Sequence, residues 1–230
     1  MKREIERHTL SLRKILLKYK SRMQQLILTS SSSLVIHSWI TQLSKLPAEL
    51  SLVFINTASE AEKGSKQWLD QDRKALVDVG FTVTDYTLTG KNQNQLEKEL
   101  APFDVFFVAG GNTFYLLYQA QQSGFLHLIA NPDNQKTYVG SSAGSILVCP
   151  DIATFDEIDD PALAPDLKST KGAGLIHYLV LPHWGNPVFE QGYQKEYTKL
   201  YQSKYPAILL KDNQYLVVEN DQTRIFSNGR

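Results

Sequence analysis

From Gln24 onward the chain alternates short runs of β-favouring residues with longer polar segments of helical periodicity. Five runs have the composition of buried strands, at residues 26–28, 52–55, 81–83, 105–108 and 138–139. Helical segments lie at roughly 33–46, 61–79, 92–101 and 112–123. This alternation predicts an α/β fold, in which a mainly parallel sheet has helices on both faces. We expect residues 24–230 to form a single domain, because a chain of 230 residues suits one core.

The rest of the chain predicts further elements of the same kind. We expect a strand that ends at His183, a helix within 187–204, and β-rich runs at 207–210, 215–218 and 224–226 with hairpin-like spacing. Residues 150–172 are rich in Asp and Pro and predict a long loop. Such a loop is either a lid or binding element, or simply a solvated connection.

Three strand-end loops carry the residues of greatest chemical interest, at 29–33, 110–113 and 141–144. Functional groups of an open parallel sheet gather at the carboxyl ends of its strands, so we expect these loops to converge on one crevice. In the third loop, Ser142 lies between Gly140 and Gly144 in a Gly-x-Ser-x-Gly pattern. A sharp turn from strand to helix at this pattern exposes a nucleophilic serine, although the same small residues also form ordinary turns.

A serine nucleophile needs a base, and His183 is the best placed of the five histidines. It follows a predicted strand, whereas a purely structural histidine is the simpler alternative. Asp212, also at a strand end, is the favoured acid to orient His183, and Glu157 and Asp156 are the alternatives. An ordinary turn aspartate would explain Asp212 almost as well.

The oxyanion formed by attack on a carbonyl needs backbone N–H donors. The N–H of Ala143, directly after the serine, is one candidate, and that of Gly110 or Gly111 is the other. Read only as structure, residues 110–113 are a turn with a helix cap. They lack the lysine and the spacing of a phosphate-binding Walker loop.

Composition narrows the partners of the chain. Its formal net charge is zero, so we expect a small peptide or another small substrate and neither nucleic acid nor a membrane surface. Cys149 is the only cysteine, which excludes an intrachain disulfide and fits a reducing cytoplasm. The sequence leaves open whether the protein is a monomer or a homodimer.

Residues 1–23 form a basic N-terminal extension, with eight basic and two acidic residues in the first 22. A solvated helix or tail, translation that starts at Met23, and an anchor for a membrane or partner all fit this segment. We assign it no function.

The order of these motifs resembles the serine peptidases of the dipeptidase E (α-aspartyl dipeptidase) and cyanophycinase type. The resemblance spans about residues 24–220 and rests on the segments 28–30, 108–113, 140–144, 149–152 and 182–184. It implies a flavodoxin-like or class I glutamine amidotransferase-like fold, with Ser142 as nucleophile, His183 as base and neither metal nor cofactor. Family members carry a late acid that corresponds to Asp212, while some descriptions favour an acid near Glu157.

One departure concerns specificity. Dipeptidase E has an arginine-containing segment after its histidine that is implicated in holding the aspartyl carboxylate, but this chain has no arginine between Arg73 and Arg224. Lys195 is a candidate substitute, although lysine lacks the bidentate contact of arginine.

Taken together, the motifs and the resemblance predict a cytoplasmic serine peptidase for small peptides, with Asp-Xaa dipeptides as one possible substrate. An esterase, amidase or acyltransferase at the same site, and an inactive binding domain, are the alternatives.

Overall fold

The computed structural model describes residues 25–131, 133–220 and 222–228. The basic extension 1–23 lies outside the described residues, and its character stays a prediction. Nine strands are present in the described part: β1 Gln25–Thr29, β2 Ser51–Ile55, β3 Thr82–Tyr86, β4 Val105–Val108, β5 Thr137–Ser141, β6 Leu179–Leu181, β7 Ala207–Leu209, β8 Gln214–Glu219 and β9 Gln222–Ser227.

The described α-helices are α1 Ser32–Trp39, α2 Gln67–Asp78, α3 Gln93–Leu100, α4 Thr113–Ser123, α5 Phe125–Ala130, α6 Ala143–Leu147 and α7 Glu190–Gln202. Short 3-10 turns lie at Ile40–Gln42, Pro47–Glu49, Thr57–Ala61, Ala153–Phe155 and Pro161–Leu163. None of the helices in the described ranges is long and apolar enough to span a bilayer.

Seven strands form the central sheet in the order β3-β2-β4-β5-β1-β8-β9. The first five are parallel, while β8 runs antiparallel to β1 and β9 antiparallel to β8. Strands β6 and β7 form a separate parallel pair. The predicted α/β fold with a mainly parallel sheet is therefore confirmed.

Side chains that alternate along each strand belong to two buried hydrophobic clusters, one on each face of the sheet. In β1, Ile27 packs with residues of α1 and α2, whereas Leu26 and Leu28 pack with residues of α3 to α6. All three side chains are at most 2% exposed. Because successive strand residues point to opposite faces, strands covered on both faces are apolar at nearly every position.

Some predicted boundaries differ from the observed ones. The helix predicted at 33–46 ends at Trp39, where a 3-10 turn follows, and the chain becomes extended at Leu43 with a ψ of 149°. The helix predicted at 61–79 begins only at Gln67, since Gly64 has a φ of 86° that breaks the helical path. The hairpin expected from the three C-terminal runs forms only between β8 and β9, because β7 pairs with β6 instead.

Candidate active site

Ser142 lies in the turn between β5 and α6, with the unusual backbone angles φ 51° and ψ −112°. The two glycines of the motif allow this turn by permitting close backbone contact. A Cβ at Gly140 would lie 2.6 Å from the carbonyl carbon of Gly144, and a Cβ at Gly144 would lie 2.0 Å from the carbonyl oxygen of Val108. Only glycine fits at both positions without a clash, so the pattern permits the turn in which Ser142 has its strained conformation.

The imidazole of His183 lies beside this serine. Its Nε2 is 2.9 Å from Ser142 Oγ, which is hydrogen-bonding distance. His183 lies two residues after β6, which ends at Leu181, and it has a φ of 61°, which is rare for a residue other than glycine. Its ring stacks on that of Phe189, with centroids 4.4 Å apart and planes inclined by 11°. The stacking holds the imidazole in the orientation that faces the serine.

Asp212 lies on the other side of the imidazole, with Oδ1 2.6 Å from His183 Nδ1. The Ser30 hydroxyl donates to the same oxygen at 2.8 Å, and the Asn186 amide donates to Oδ2 at 2.7 Å. Partial burial works to raise the pKa of Asp212, but the hydrogen bonds from His183, Ser30 and Asn186 lower it to about 2. The ionised carboxylate favours a proton on Nδ1, which leaves Nε2 free to accept the serine proton.

Ser30 is a site residue that sequence reasoning did not single out. Besides its bond to Asp212, its oxygen accepts a hydrogen bond of 2.6 Å from the backbone N–H of His183. The residue follows β1, which pairs with β5 in the sheet, so its loop lies beside the turn that holds Ser142. The run of hydroxyl residues at 29–33 indicated a strand-end loop, but its five side chains are so similar that the pattern did not distinguish Ser30 from its neighbours.

The alternative acids lie elsewhere. Lys199 pairs with Asp156, and its Nζ is 3.8 Å from Glu157 Oε1. Lys195 is 3.3 Å from the other Glu157 oxygen and is 67% exposed. The structure therefore brings Asp212, and neither Asp156 nor Glu157, to His183, and it places Lys195 in a surface ion pair.

The candidate oxyanion donors lie close to the serine. A Cβ built at Gly110 would be 3.1 Å from Ser142 Cβ, so this backbone passes against Ser142. Gly111 lies against the backbone of Ala58 instead. Ala143 is the first residue of α6, where an N–H has no acceptor within the helix. Within the described ranges, the N–H groups of Gly110, Gly111 and Ala143 have no protein acceptor.

Two further carboxylates border the site, one buried and one partly buried. Asp72 is 5% exposed and accepts hydrogen bonds of 2.8 Å from Ser33 N–H and from the Ser141 hydroxyl. Asp159 accepts a 2.9 Å hydrogen bond from the N–H of Thr113 and another from its hydroxyl. Burial raises the pKa of Asp72, and it raises the pKa of Asp159 to about 6 although the Thr113 hydrogen bonds lower it.

These groups line one cleft with a volume of about 610 Å³. Ser142 and His183 lie in it, and apolar side chains such as Trp68, Ile158 and Phe189 form part of its wall. A cleft of this size and mixed character is typical of sites for small ligands. All three strand-end loops named from the sequence contribute residues to it.

Comparison with known proteins identifies the family. The model of the family described as Peptidase family S51 matches residues 26–226. An uncharacterized peptidase of Listeria innocua is 31% identical over 202 residues, which cover 84% of this chain and 96% of that relative. A Peptidase E of Salmonella arizonae is 28% identical over 172 residues, which cover 72% of this chain and 71% of that protein.

Solved structures agree with this assignment. A crystal structure described as a "Putative Peptidase E Protein" from Listeria monocytogenes has a TM-score of 0.81 and 26% identity, covering 90% of this chain and 99% of the other. A peptidase from an acI-B1 actinobacterium has a TM-score of 0.61 at 16% identity, which supports the fold alone. Since the family model covers most of the chain, the chain belongs to peptidase family S51 and is a serine-type peptidase.

Proposed function

We propose that this peptidase hydrolyses peptide bonds in small peptides, including dipeptides, with Ser142, His183 and Asp212 as its catalytic residues. The observation that carries the proposal is the continuous row of hydrogen bonds from Ser142 Oγ through both ring nitrogens of His183 to Asp212 Oδ1. A large separation of serine and histidine would have favoured an inactive binding domain. The distance of 2.9 Å favours catalysis instead.

In the acylation step, Ser142 Oγ forms a bond to the scissile carbonyl carbon while its proton passes to His183 Nε2. Asp212 stabilises the resulting imidazolium, and its low pKa keeps it ionised throughout. The N–H groups of Ala143 and of Gly110 or Gly111 donate to the carbonyl oxygen as it gains negative charge. His183 then gives the proton to the leaving nitrogen, and the C–N bond breaks.

Deacylation repeats these steps with water. His183 accepts a proton from the water as its oxygen attacks the acyl carbon, and the proton returns to Ser142 Oγ as the ester bond breaks. The products are an acid and an amine, and the enzyme is regenerated. The Ser30 hydroxyl and the Phe189 ring hold the imidazole in place during both steps.

A panel of dipeptides and tripeptides tests the proposed function, with Asp-Xaa members and small esters included. We expect wild-type protein to cleave peptides and Ser142→Ala to lose at least about 1,000-fold in kcat. Ser145→Ala, which alters another serine of the motif region, would be an unsuitable control because Ser145 bonds to the Thr29 and Gly140 carbonyls. Ser44→Ala is a better control, because Ser44 is exposed.

Three results of this panel have different meanings. Equal turnover by wild type and Ser142→Ala contradicts the proposed mechanism. Cleavage of esters without cleavage of peptides favours the esterase or acyltransferase alternative at the same serine.

We also propose a cytoplasmic location, supported by the single cysteine, Cys149. It is a buried free thiol, and burial raises its pKa to about 12.

A further inference from the structure

The charged groups that line the catalytic cleft are of one sign, apart from the imidazole of His183. They are the carboxylates of Glu62, Asp72, Asp159 and Asp212. No lysine or arginine lines this cleft within the described ranges. A cleft with charges of one sign concentrates the field at the ligand, so the charge of a substrate decides how well it binds there.

Two of these carboxylates already have partners within the catalytic machinery. Asp212 is held by His183, and Asp72 is held by Ser141 and by the backbone of Ser33. Glu62 differs, because its carboxylate accepts no hydrogen bond and pairs with no cation in the part of the chain that the structure describes. Asp159 uses only Oδ2 in its two bonds to Thr113.

Glu62 and Asp159 both line the cleft that also contains Ser142 and the loop through Gly110 and Gly111. Glu62 follows the turn Thr57–Ala61, whose Ala58 backbone contacts Gly111, and Asp159 holds Thr113 at the end of that loop. The Trp68 ring lines the same cleft and lies close to this loop, since a Cβ at Gly110 would be 3.6 Å from Trp68 Cζ3. We call Glu62, Trp68 and Asp159 the acidic wall of the cleft.

The acidic wall has the features of a site for an organic cation. Burial is the main cause of the raised pKa of Asp159, and the nearby charge of Glu62 raises it further. A positive group between them would relieve that repulsion. No cluster of three or more His, Cys, Asp or Glu residues suited to a metal occurs in the described ranges. A basic side chain also has an aliphatic stem for the Trp68 face and a cationic end that the aromatic ring attracts.

We propose that the acidic wall binds a basic side chain, lysine or arginine, on the substrate residue that supplies the scissile carbonyl, and that it disfavours aspartate there. This inference rests on the proposed function, because it assumes that the carbonyl is held at Ser142 beside Gly110. The surface ion pair of Lys195 with Glu157 supports it, since that lysine is not in the cleft to receive an aspartyl carboxylate.

The p-nitroanilides of lysine, norleucine and aspartate test the proposal, because norleucine matches the lysine stem without its charge. We expect wild-type kcat/KM for lysine to exceed that for norleucine about tenfold and that for aspartate about 100-fold. Glu62→Gln should reduce the ratio of lysine to norleucine about fivefold. Glu97→Gln removes the same charge from an exposed position on α3 and should leave the ratio unchanged. Added salt should also lower the ratio.

A binding measurement separates this inference from the proposed function. Calorimetry on Ser142→Ala compares lysinamide with norleucinamide, which share the α-amino group and differ only at the side-chain end. Tighter binding of lysinamide, lost in Ser142→Ala combined with Glu62→Gln, supports the acidic wall even if no p-nitroanilide is cleaved. Equal binding, or a wild-type preference for aspartate or norleucine, overturns it. Turnover that survives Ser142→Ala overturns the proposed function instead.

Discussion

The Ser30 hydroxyl donates a 2.8 Å hydrogen bond to Asp212 Oδ1, the oxygen that also faces the imidazole of His183. The same hydroxyl oxygen accepts a hydrogen bond from the backbone N–H of His183, so Ser30 holds both His183 and Asp212 in position. In the part of the chain that the structure describes, the Ser30 side chain forms no hydrogen bond with the proposed nucleophile or the proposed oxyanion donors. It is therefore a positioning residue in the proposed mechanism.

Ser30→Ala should lower kcat about 10- to 100-fold, because the imidazole loses part of its alignment and Asp212 loses a donor. The loss of a donor should also raise the pKa of Asp212, which the two remaining donors still hold low. Steady-state kinetics with the best peptide of the panel measures the effect. The exposed Ser44→Ala is the control, and equal kcat for both variants would contradict a positioning role.

Asp212→Asn and Glu157→Gln distinguish the two proposed acids. We expect Asp212→Asn to lower kcat/KM by about 10³- to 10⁴-fold, because an amide no longer favours the proton on His183 Nδ1. Glu157→Gln should stay within about threefold of wild type, since its carboxylate pairs with lysines on α7. The reverse order of effects would show that Glu157 is the acid.

In the turn at Ser142, any side chain added at Gly144 should have a large steric cost. Gly144→Ala should lower the free energy of unfolding by about 3 kcal/mol or more, because its Cβ would lie 2.0 Å from the Val108 carbonyl oxygen. Gly64→Ala is the matched control. That position has a φ of 86° but no neighbour within 4 Å, so backbone strain alone should cost about 1–2 kcal/mol. Chemical denaturation measures both, and equal losses would contradict the steric argument.

The raised pKa of Asp159 predicts a pH-dependent contribution to stability. At pH values between the ordinary pKa of an aspartate and about 6, Asp159 is ionised in the unfolded chain but still protonated in the folded chain. The contribution of Asp159 to stability should therefore fall by about 2–3 kcal/mol as pH rises from about 4 to 7. Asn keeps an acceptor for Thr113, so urea denaturation of wild type and Asp159→Asn at both pH values isolates the titration. A difference between the two proteins that is constant with pH would contradict it.

The sequence predicted the sheet and the strand-to-helix turn at Ser142 because the signals for both are local. Apolar runs such as 105–108 reveal buried strands, and Gly140 with Gly144 reveals a turn that needs close backbone contact. The pairing of β7 with β6 was not predictable in this way, because strand partners depend on contacts distant in sequence.

The same limit applies to the site. Ser142 and His183 could be named from their places after strands. Asp212 was favoured as the acid, but the sequence left Glu157 and Asp156 as alternatives, because it does not give the distance of each carboxylate from His183. Ser30 was one hydroxyl among several neighbours. Glu62 lies about 80 residues before Ser142, and no local pattern relates the two.

Labelling with a fluorophosphonate tests the central claim, that Ser142 is the activated nucleophile, most directly. Peptide mapping by mass spectrometry should locate a single adduct on Ser142, with no adduct in Ser142→Ala and slow labelling in Asp212→Asn. The reagent needs no knowledge of the substrate, because it reports the activated hydroxyl itself. An adduct on another residue, or labelling of Ser142→Ala at the wild-type rate, would contradict the claim.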